Sequence, residues 1–426
     1  MQVPINRRSF LAGVTAASYS RVLGANDRIS LGQIGTGNRG SGLTEIVASI
    51  KDKQNVEITA VCDLWSHARD RAADQVRTQF GRAPRAFQHM EDLLALRDVD
   101  AVLIATGDFQ HSPILKIVVE AGKDAYCEKP MGNVLEEAAA ARDAVRRTGR
   151  IVQIGTQHRS EPYQLAVRDL IRGGALGEIT KIEFVWNYHG PRWRGRPEVN
   201  FLREQDTDWR RWLLKKPYRP FDPRVYLEFR LYRDFSSGIA DQWLSHSSDL
   251  VHLFMDEKFP RSVCAHGGVF AWKDGRENPD TFQTLIEYPK GFLVSYSTSF
   301  GNDCPSFARI MGKKATLINT GGEGSPRWHI VEEKGTFEDD PSIKRAEKPV
   351  LLHGDPPNHQ VPTFISDNVE YHMVNWVESM RARRDPNATV EHGFSHSVVC
   401  IMAARAYHTG RRLFFDPATQ TIRDSA

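Results

Sequence analysis

No apolar run in the sequence approaches the roughly 20 residues that a membrane-spanning helix needs. Cysteine is scarce: Cys62, Cys127, Cys264, Cys304 and Cys400 are scattered, odd in number and without a C-x-x-C pair. That pattern supports neither a disulfide framework nor a cysteine zinc site. The histidines lack H-E-x-x-H spacing, so no metal is expected. Neither sign of charge dominates, with 56 Lys and Arg against 53 Asp and Glu, a balance that argues against a nucleic-acid partner. Hydrophobic residues make up 40% and charged residues 26%, which excludes a disordered chain, a coiled coil and a collagen-like repeat. At about 100–200 residues per domain, 426 residues imply two domains of a soluble protein, most simply an enzyme.

Residues 1–25 stand apart. Asn6-Arg7-Arg8-Ser9-Phe10-Leu11-Ala12 leads into small and apolar residues as far as Tyr19. The segment resembles a twin-arginine export signal, with a basic amphipathic arm as the alternative. It implies a periplasmic or exported protein; without it the expected location is the cytoplasm. Folding is expected to begin near Asn26.

From Arg28 the composition changes to strand and helix signals. A β-like run, Ile29–Ile34, enters Gly35-x-Gly37-x-x-Gly40, and a helical pattern follows. In such a loop the first glycine makes the turn, the second admits a pyrophosphate and the third allows close helix–strand packing. Asn38 and Arg39 lie inside the loop, where the helix N-terminus faces the phosphates. A second strand, Val56–Cys62, ends at Asp63, placed to hold a ribose 2′-hydroxyl. With no basic residue in Leu64-Trp65, NAD is favoured over NADP. Further strands are expected at 101–105, 124–127 and from 151, with helices near 113–121 and 135–147. Their alternation predicts an α/β domain over residues 26–150, a Rossmann doubly wound parallel sheet.

The strand at 124–127 ends in Cys127-Glu128-Lys129-Pro130. E-K-P at this distance from the glycine loop resembles the Gfo/Idh/MocA family (glucose-fructose oxidoreductase, inositol dehydrogenase and rhizopine catabolism). Thr106 to His111 is similar to the family's T-P-x-x-x-H, Gly173–Glu178 to its linker and Gly410–Pro417 to its C-terminal element. The resemblance covers the chain from Arg28 onward. It implies that Thr106, His111, Glu128 and Lys129 face the cofactor, and that Lys129 stabilises alkoxide character on the substrate. It also implies a cis Lys129–Pro130 peptide and a homodimer or homotetramer formed through an open sheet.

Residues 151–390 predict an α+β domain with a large, mostly antiparallel open sheet, its strands near 178–186, 262–272, 281–288, 292–299 and 308–318. The final residues, 391–426, are expected to form a helix and tail that pack back on the first domain. In Ser237–Phe254 the positions Gln242, His246, Asp249 and Leu253 share a helical face. The family carries an Asp four residues before a His here and another three after it. His246 and Asp249 match, whereas Gln242 stands at minus four and Asp241 one residue earlier. His246 becomes the expected acid–base, Asp249 a substrate contact, and the choice between Gln242 and Asp241 stays open. His252 reads as structural. Trp186, Tyr188, His189, Arg192, Trp193, Arg194, Trp209, Trp212 and Tyr226 mix rings and cations suited to sugar faces and hydroxyls. Tyr188, Trp193 and His158 are the pocket candidates, though any one ring can equally be core.

The expected activity is hydride transfer between tightly held NAD and a secondary hydroxyl of a sugar, polyol or glycoside. Export makes free NAD scarce and favours a redox-neutral cycle. The alternative is therefore an NAD-dependent glycoside hydrolase like those of glycoside hydrolase family 109. Against it, Lys129 is retained, and Trp186 and Tyr188 do not reproduce that family's Tyr/His pair. A non-catalytic sensor is a third reading, disfavoured by Lys129 and His246.

Overall fold

The computed structural model describes residues 27–320, 328–333, 351–352 and 367–425; the Arg7-Arg8 segment lies outside the described residues. Six parallel strands form the first sheet in the order β3-β2-β1-β4-β5-β6. They are β1 (Ile29–Ile34), β2 (Val56–Cys62), β3 (Arg85–Phe87), β4 (Ala101–Ile104), β5 (Asp124–Cys127) and β6 (Val152–Ile154). This is the strand order of a dinucleotide-binding doubly wound sheet. Strand β4 is buried along its whole length, as a central parallel strand covered on both faces must be. Strand β3 escapes sequence reading because three residues carry no period. Helices α1 (Asn38–Gln54), α2 (Ser66–Phe80), α3 (His111–Glu120) and α4 (Leu135–Thr148) make the crossovers.

After α5 (Pro162–Arg172) the chain enters a ten-stranded sheet, β14-β13-β12-β11-β7-β10-β9-β8-β15-β16. Its strands are β7 (Ile179–Val185), β8 (Ser262–Gly268), β9 (Thr281–Tyr288), β10 (Phe292–Ser299), β11 (Phe307–Gly312), β12 (Ala315–Asn319), β13 (Trp328–Glu332), β14 (Leu351–Leu352), β15 (Leu413–Asp416) and β16 (Thr421–Arg423). Only β7 and β10 pair in parallel. The single strand expected at 308–318 is instead the β11–β12 hairpin. Gly312 enters its turn so close to the Leu176 carbonyl that a Cβ would lie 2.1 Å from that oxygen. The strand expected to reach Trp272 stops at Gly268, because the Asp280 carboxylate captures the amides of Phe270, Ala271 and Trp272 at 2.8–3.0 Å.

Short helix α6 (Trp209–Leu213) and helix α7 (Ser245–Met255) precede β8; α8 (Asp367–Ala382) and α9 (Val390–Thr409) follow β14. Helix α8 returns to the first sheet, burying Met373, Trp376 and Val377 against a core that includes Leu31, Leu43 and Tyr126. Helix α9 rests on β8, α7 and α4. The tail after it does not pack as expected: Leu413 pairs with Val263, and β15–β16 extend the second sheet. Burial of Leu413 and Phe415 and the edge hydrogen bonds of β8 favour that placement. On the outer face of this sheet Leu285 and Leu293 are exposed. No described helix is long and apolar enough to cross a membrane.

Candidate functional site

The glycine turn after β1 is fixed by contact. Gly35 has φ +86°, and a Cβ there would meet the Ala105 carbonyl at 2.6 Å; at Gly40 it would meet the Gly35 oxygen at 2.4 Å. At Gly37 nothing lies within 4 Å of the same position, leaving room for a phosphate. Helix α1 begins there with no side-chain cap and no acid in its first turn, so its leading N–H groups are offered to an anion. Asp63 Oδ2 accepts from Thr36 N at 2.7 Å and Thr36 Oγ1 at 3.0 Å, and Oδ1 accepts from Trp65 N at 2.9 Å. Burial lifts its pKa above the ordinary carboxylate value despite these bonds. Gly35, Gly37, Asn38, Arg39, Asp63 and Thr106 line one cavity of about 990 Å³. An open phosphate position, free helix amides and a carboxylate at the end of β2 fit a dinucleotide. Sequence reading missed Arg71, which lines the same cavity and donates to the Thr36 carbonyl at 3.3 Å.

His111 does not face the cofactor as expected. It is buried, with Nδ1 2.7 Å from the Pro130 carbonyl and Nε2 3.3 Å from that of Thr106. The ring sits between two loops of the cleft, its single N–H available to one of these carbonyls. The Lys129–Pro130 peptide is cis. Glu128 Oε1 accepts from Arg39 Nε at 2.6 Å, tying the glycine loop to the end of β5. Lys129 is partly exposed, and its Nζ donates to the Gln242 main-chain carbonyl at 2.6 Å. Burial pulls its pKa down to about 8; Glu128 and Asp108 oppose that shift, and Arg194 and Arg230 reinforce it.

The backbone at Gln242 departs from an α-helix. Ala240–Leu244 forms a π-helical turn ahead of α7. A π-turn closes i→i+5 hydrogen bonds, so the side chains of Asp241 and Gln242 do not lie where an α-helical count from His246 would put them. Gln242 is turned aside. Its Nε2 donates to Asp108 Oδ2 at 2.8 Å and its Oε1 accepts from Arg194 at 3.0 Å. It is a bridge rather than an acid. Asp241 is buried, with Oδ2 accepting from Ser237 N at 2.6 Å and Oδ1 unpartnered. Burial, with Asp108 adding, raises its pKa.

His246 lines a second, smaller cavity of about 150 Å³ together with His158 and Trp186. The Trp186–Trp243 stack, with centroids 4.9 Å apart, adjoins it, and Trp243 in turn meets Tyr188 and Trp193 of the larger cleft. His246 Nδ1 has no partner, and burial, then the charge of Lys129, holds its pKa well below the ordinary value. The His158 ring is 4.9 Å from that of His246, and its Nδ1 is 2.6 Å from Glu161 Oε1.

Asp249 is not a substrate contact. It is 1% exposed, and both its oxygens accept from Arg159 Nε at 2.8 Å. Breaking such a buried pair costs about 3–5 kcal/mol, which gives Asp249 a structural task. His252 meets the Tyr288 hydroxyl at 3.0 Å. Tyr188 and Trp193 line the large cleft; Trp209, Trp212 and Tyr226 stack on one another, and Trp212 and Tyr226 also border that cleft. Asp108 and Gln110 sit inside the T-G-D-F-Q-H motif but were not singled out from it. Gln110 accepts from Gly107 N at 3.0 Å and donates to the Trp212 carbonyl at 2.6 Å, linking the domains across the cleft.

Residues 29–156 match an oxidoreductase family's NAD-binding Rossmann fold, and residues 214–414 match its C-terminal alpha/beta domain. A glycosyl hydrolase family 109 protein of Shewanella amazonensis is 33% identical over 186 residues, 43% of this chain and 39% of that protein. One from Shewanella baltica is 30% identical over 172 residues, 39% of this chain and 37% of that protein. The chain thus matches less than half the length of these curated relatives. Levoglucosan dehydrogenase in complex with NADH and L-sorbose shares the fold at TM-score 0.69 and 15% identity, covering 91% of this chain and 99% of that one. The Bordetella pertussis WlbA dehydrogenase, with NADH and UDP-GlcNAcA, shares it at 0.66 and 18%, again covering 91% and 99%. An Agrobacterium radiobacter oxidoreductase with NAD+, L-tartaric acid and magnesium does so at 0.68 and 15%, covering 91% and 98%. The two domain matches take in most of the chain, and with the nucleotide cleft and the Glu128-Lys129-Pro130 corner they make this protein a member of the Gfo/Idh/MocA oxidoreductase family, its first domain an NAD-binding Rossmann fold.

Proposed function

We propose that the protein oxidises a secondary hydroxyl of a sugar, polyol or glycoside to the ketone, or reduces that ketone, using tightly held NAD. The observation that carries this reading is Lys129: a partly buried ammonium at the C-terminal end of β5, between the nucleotide cleft and the turn leading to His246. Bound in the cleft, the dinucleotide supplies the hydride acceptor. Lys129 Nζ presents fixed positive charge to the hydroxyl oxygen as negative charge develops there. His246, held neutral by burial and by Lys129, is the base of this reading. Its neighbours His158 and Glu161 extend a path for the proton.

A second reading is supported by the curated relatives, which bear the name of glycosyl hydrolase family 109. In it the oxidation is transient: it acidifies a neighbouring carbon, the glycosidic bond is eliminated to leave an unsaturated ketone, water adds to that double bond, and the ketone is reduced again by the hydride first removed. The span between the domains supports cofactor retention in both readings, because Gln110 bonds the Trp212 carbonyl while Arg211 pairs with Glu91 at 2.7 Å. Export through the Arg7-Arg8 segment belongs to the same proposal.

One preparation tests these points. Protein is recovered from the exported fraction, dialysed, denatured to assay released dinucleotide, and in parallel given sugars or aryl glycosides without added cofactor. Near-stoichiometric NAD is expected. Release of free sugar from a glycoside selects the hydrolase, and reduction of bound NAD by a free sugar selects the oxidoreductase. Neither reaction on a broad panel defeats both, and absence of the protein from that fraction defeats export.

A further inference from the structure

Three cations, Lys129, Arg194 and Arg230, meet at the inner end of the large cleft, where Asp108 is already shared by hydrogen bonds, Glu128 is bound to Arg39 and Asp241 accepts from the Ser237 amide. Lys129 Nζ and Arg194 Nη2 both bond Gln242, one at its main-chain oxygen and the other at Oε1. Gln242 Nε2 in turn bonds Asp108 Oδ2, which also accepts from Ser236 Oγ at 2.6 Å. Arg230 Nη2 stands 3.4 Å from Asp108 Oδ1, and its buried Nε has no partner. Among the described residues no carboxylate lies within ion-pair distance of Lys129 or Arg194.

Several nearby arginines, by contrast, are paired with carboxylates. Arg39 is neutralised by Glu128, Arg192 by Glu228 and Asp274, Arg196 by Glu198, and Arg211 by Glu91. Unmatched charge removed from water is costly, and Arg194 and Arg230 add to the burial that lowers the pKa of Lys129. The dinucleotide's diphosphate does not answer this excess, since its place is at Gly37 and the start of α1. Arg194 and Arg230 instead line the second-domain side of the cleft with Tyr188 and Trp193, and the Arg194 guanidinium lies 5.3 Å from the Trp193 ring centroid. A guanidinium beside an aromatic face suits a flat ring that carries a carboxylate.

We propose that the substrate is an acidic sugar, free or glycosidic, whose carboxylate is held by Arg194 and Arg230 while a ring hydroxyl faces Lys129. The inference rests on the sugar reading above and narrows it to a charge class.

Holoprotein is titrated calorimetrically with glucuronate and galacturonate, each against its uncharged amide, and the same four compounds are assayed for reduction of bound NAD. The acids are expected to bind about ten- to a hundredfold more tightly than their amides, the range for charge-assisted hydrogen bonds. In Arg194→Gln that ratio should fall toward one. Equal binding of acid and amide by the wild type overturns the clamp. A fall in NADH affinity in Arg194→Gln with the acid-to-amide ratio retained also overturns it, by placing Arg194 on the diphosphate. Preferential binding of the acids without any hydride transfer upholds the clamp and defeats the oxidoreductase reading, so the two failures are distinguishable.

Discussion

Lys129 is costly to keep charged where it stands, and that cost gives it a measurable signature. Burial lowers its pKa to about 8, so the ammonium is present below that pH and lost as pH rises through it. Turnover that depends on the cation should decline on an alkaline limb near pH 8, read from kcat between about pH 6 and pH 10. Lys129→Ala should lower kcat about 10²–10³-fold, the usual loss when one fixed charge-stabilising group is removed. Lys129→Arg, whose charge persists, should lose the limb whatever rate remains; a limb unchanged in Lys129→Arg would assign it to another group. Gln242→Ala provides the contrast, because Lys129 is held by the Gln242 main chain rather than its side chain. That change leaves buried Asp108 short of a donor and should cost about 1–3 kcal/mol in stability, measured by denaturant unfolding. At this scale the motif residues that make backbone turns were readable in advance, because Gly35 takes a φ of +86° and Gly40 is held against the Gly35 oxygen five residues away. His111 and Asp249 were misread because their partners, Thr106, Pro130 and Arg159, are chosen by folding.

At the scale of elements, the π-helical turn at Ala240–Leu244 shows why spacing alone misled. Counting residues assumes 3.6 per turn, and a π-turn does not keep that count. The span through α6 is a second element whose role appears only in three dimensions. Its anchor to the first domain is Gln110, 4% exposed, whereas the Arg211–Glu91 and His89–Asp208 pairs are half-exposed and worth little individually. Gln110→Ala leaves the Gly107 amide and the Trp212 carbonyl unpaired and should speed NADH release about tenfold, followed by stopped-flow fluorescence. Arg211→Ala should change it far less. Equal effects would deny the span its anchoring role.

For the whole molecule, the expected division into consecutive domains is only partly how the chain packs. Helix α8 lies within residues assigned to the second domain yet fills the first core with Trp376 and Met373, while the tail joins the second sheet. Each large side chain so buried contributes about 1.5–3 kcal/mol, so α8 binds the domains together. The outer face of the ten-stranded sheet exposes Leu285 and Leu293 on adjacent strands. Association through this face predicts a dimer or larger assembly by light scattering, converted to monomer by Leu285→Lys with Leu293→Glu; a wild-type monomer would refute it. The sequence by itself determined the doubly wound sheet, the dinucleotide loop and Lys129, because each rests on short-range rules of period, turn and strand end. Only the tertiary structure decided that Gln242 is a bridge, that His246 lines a separate cavity and that Arg194 and Arg230 converge on Lys129. Those facts depend on contacts between residues tens to more than a hundred positions apart, and no local pattern encodes which partners meet.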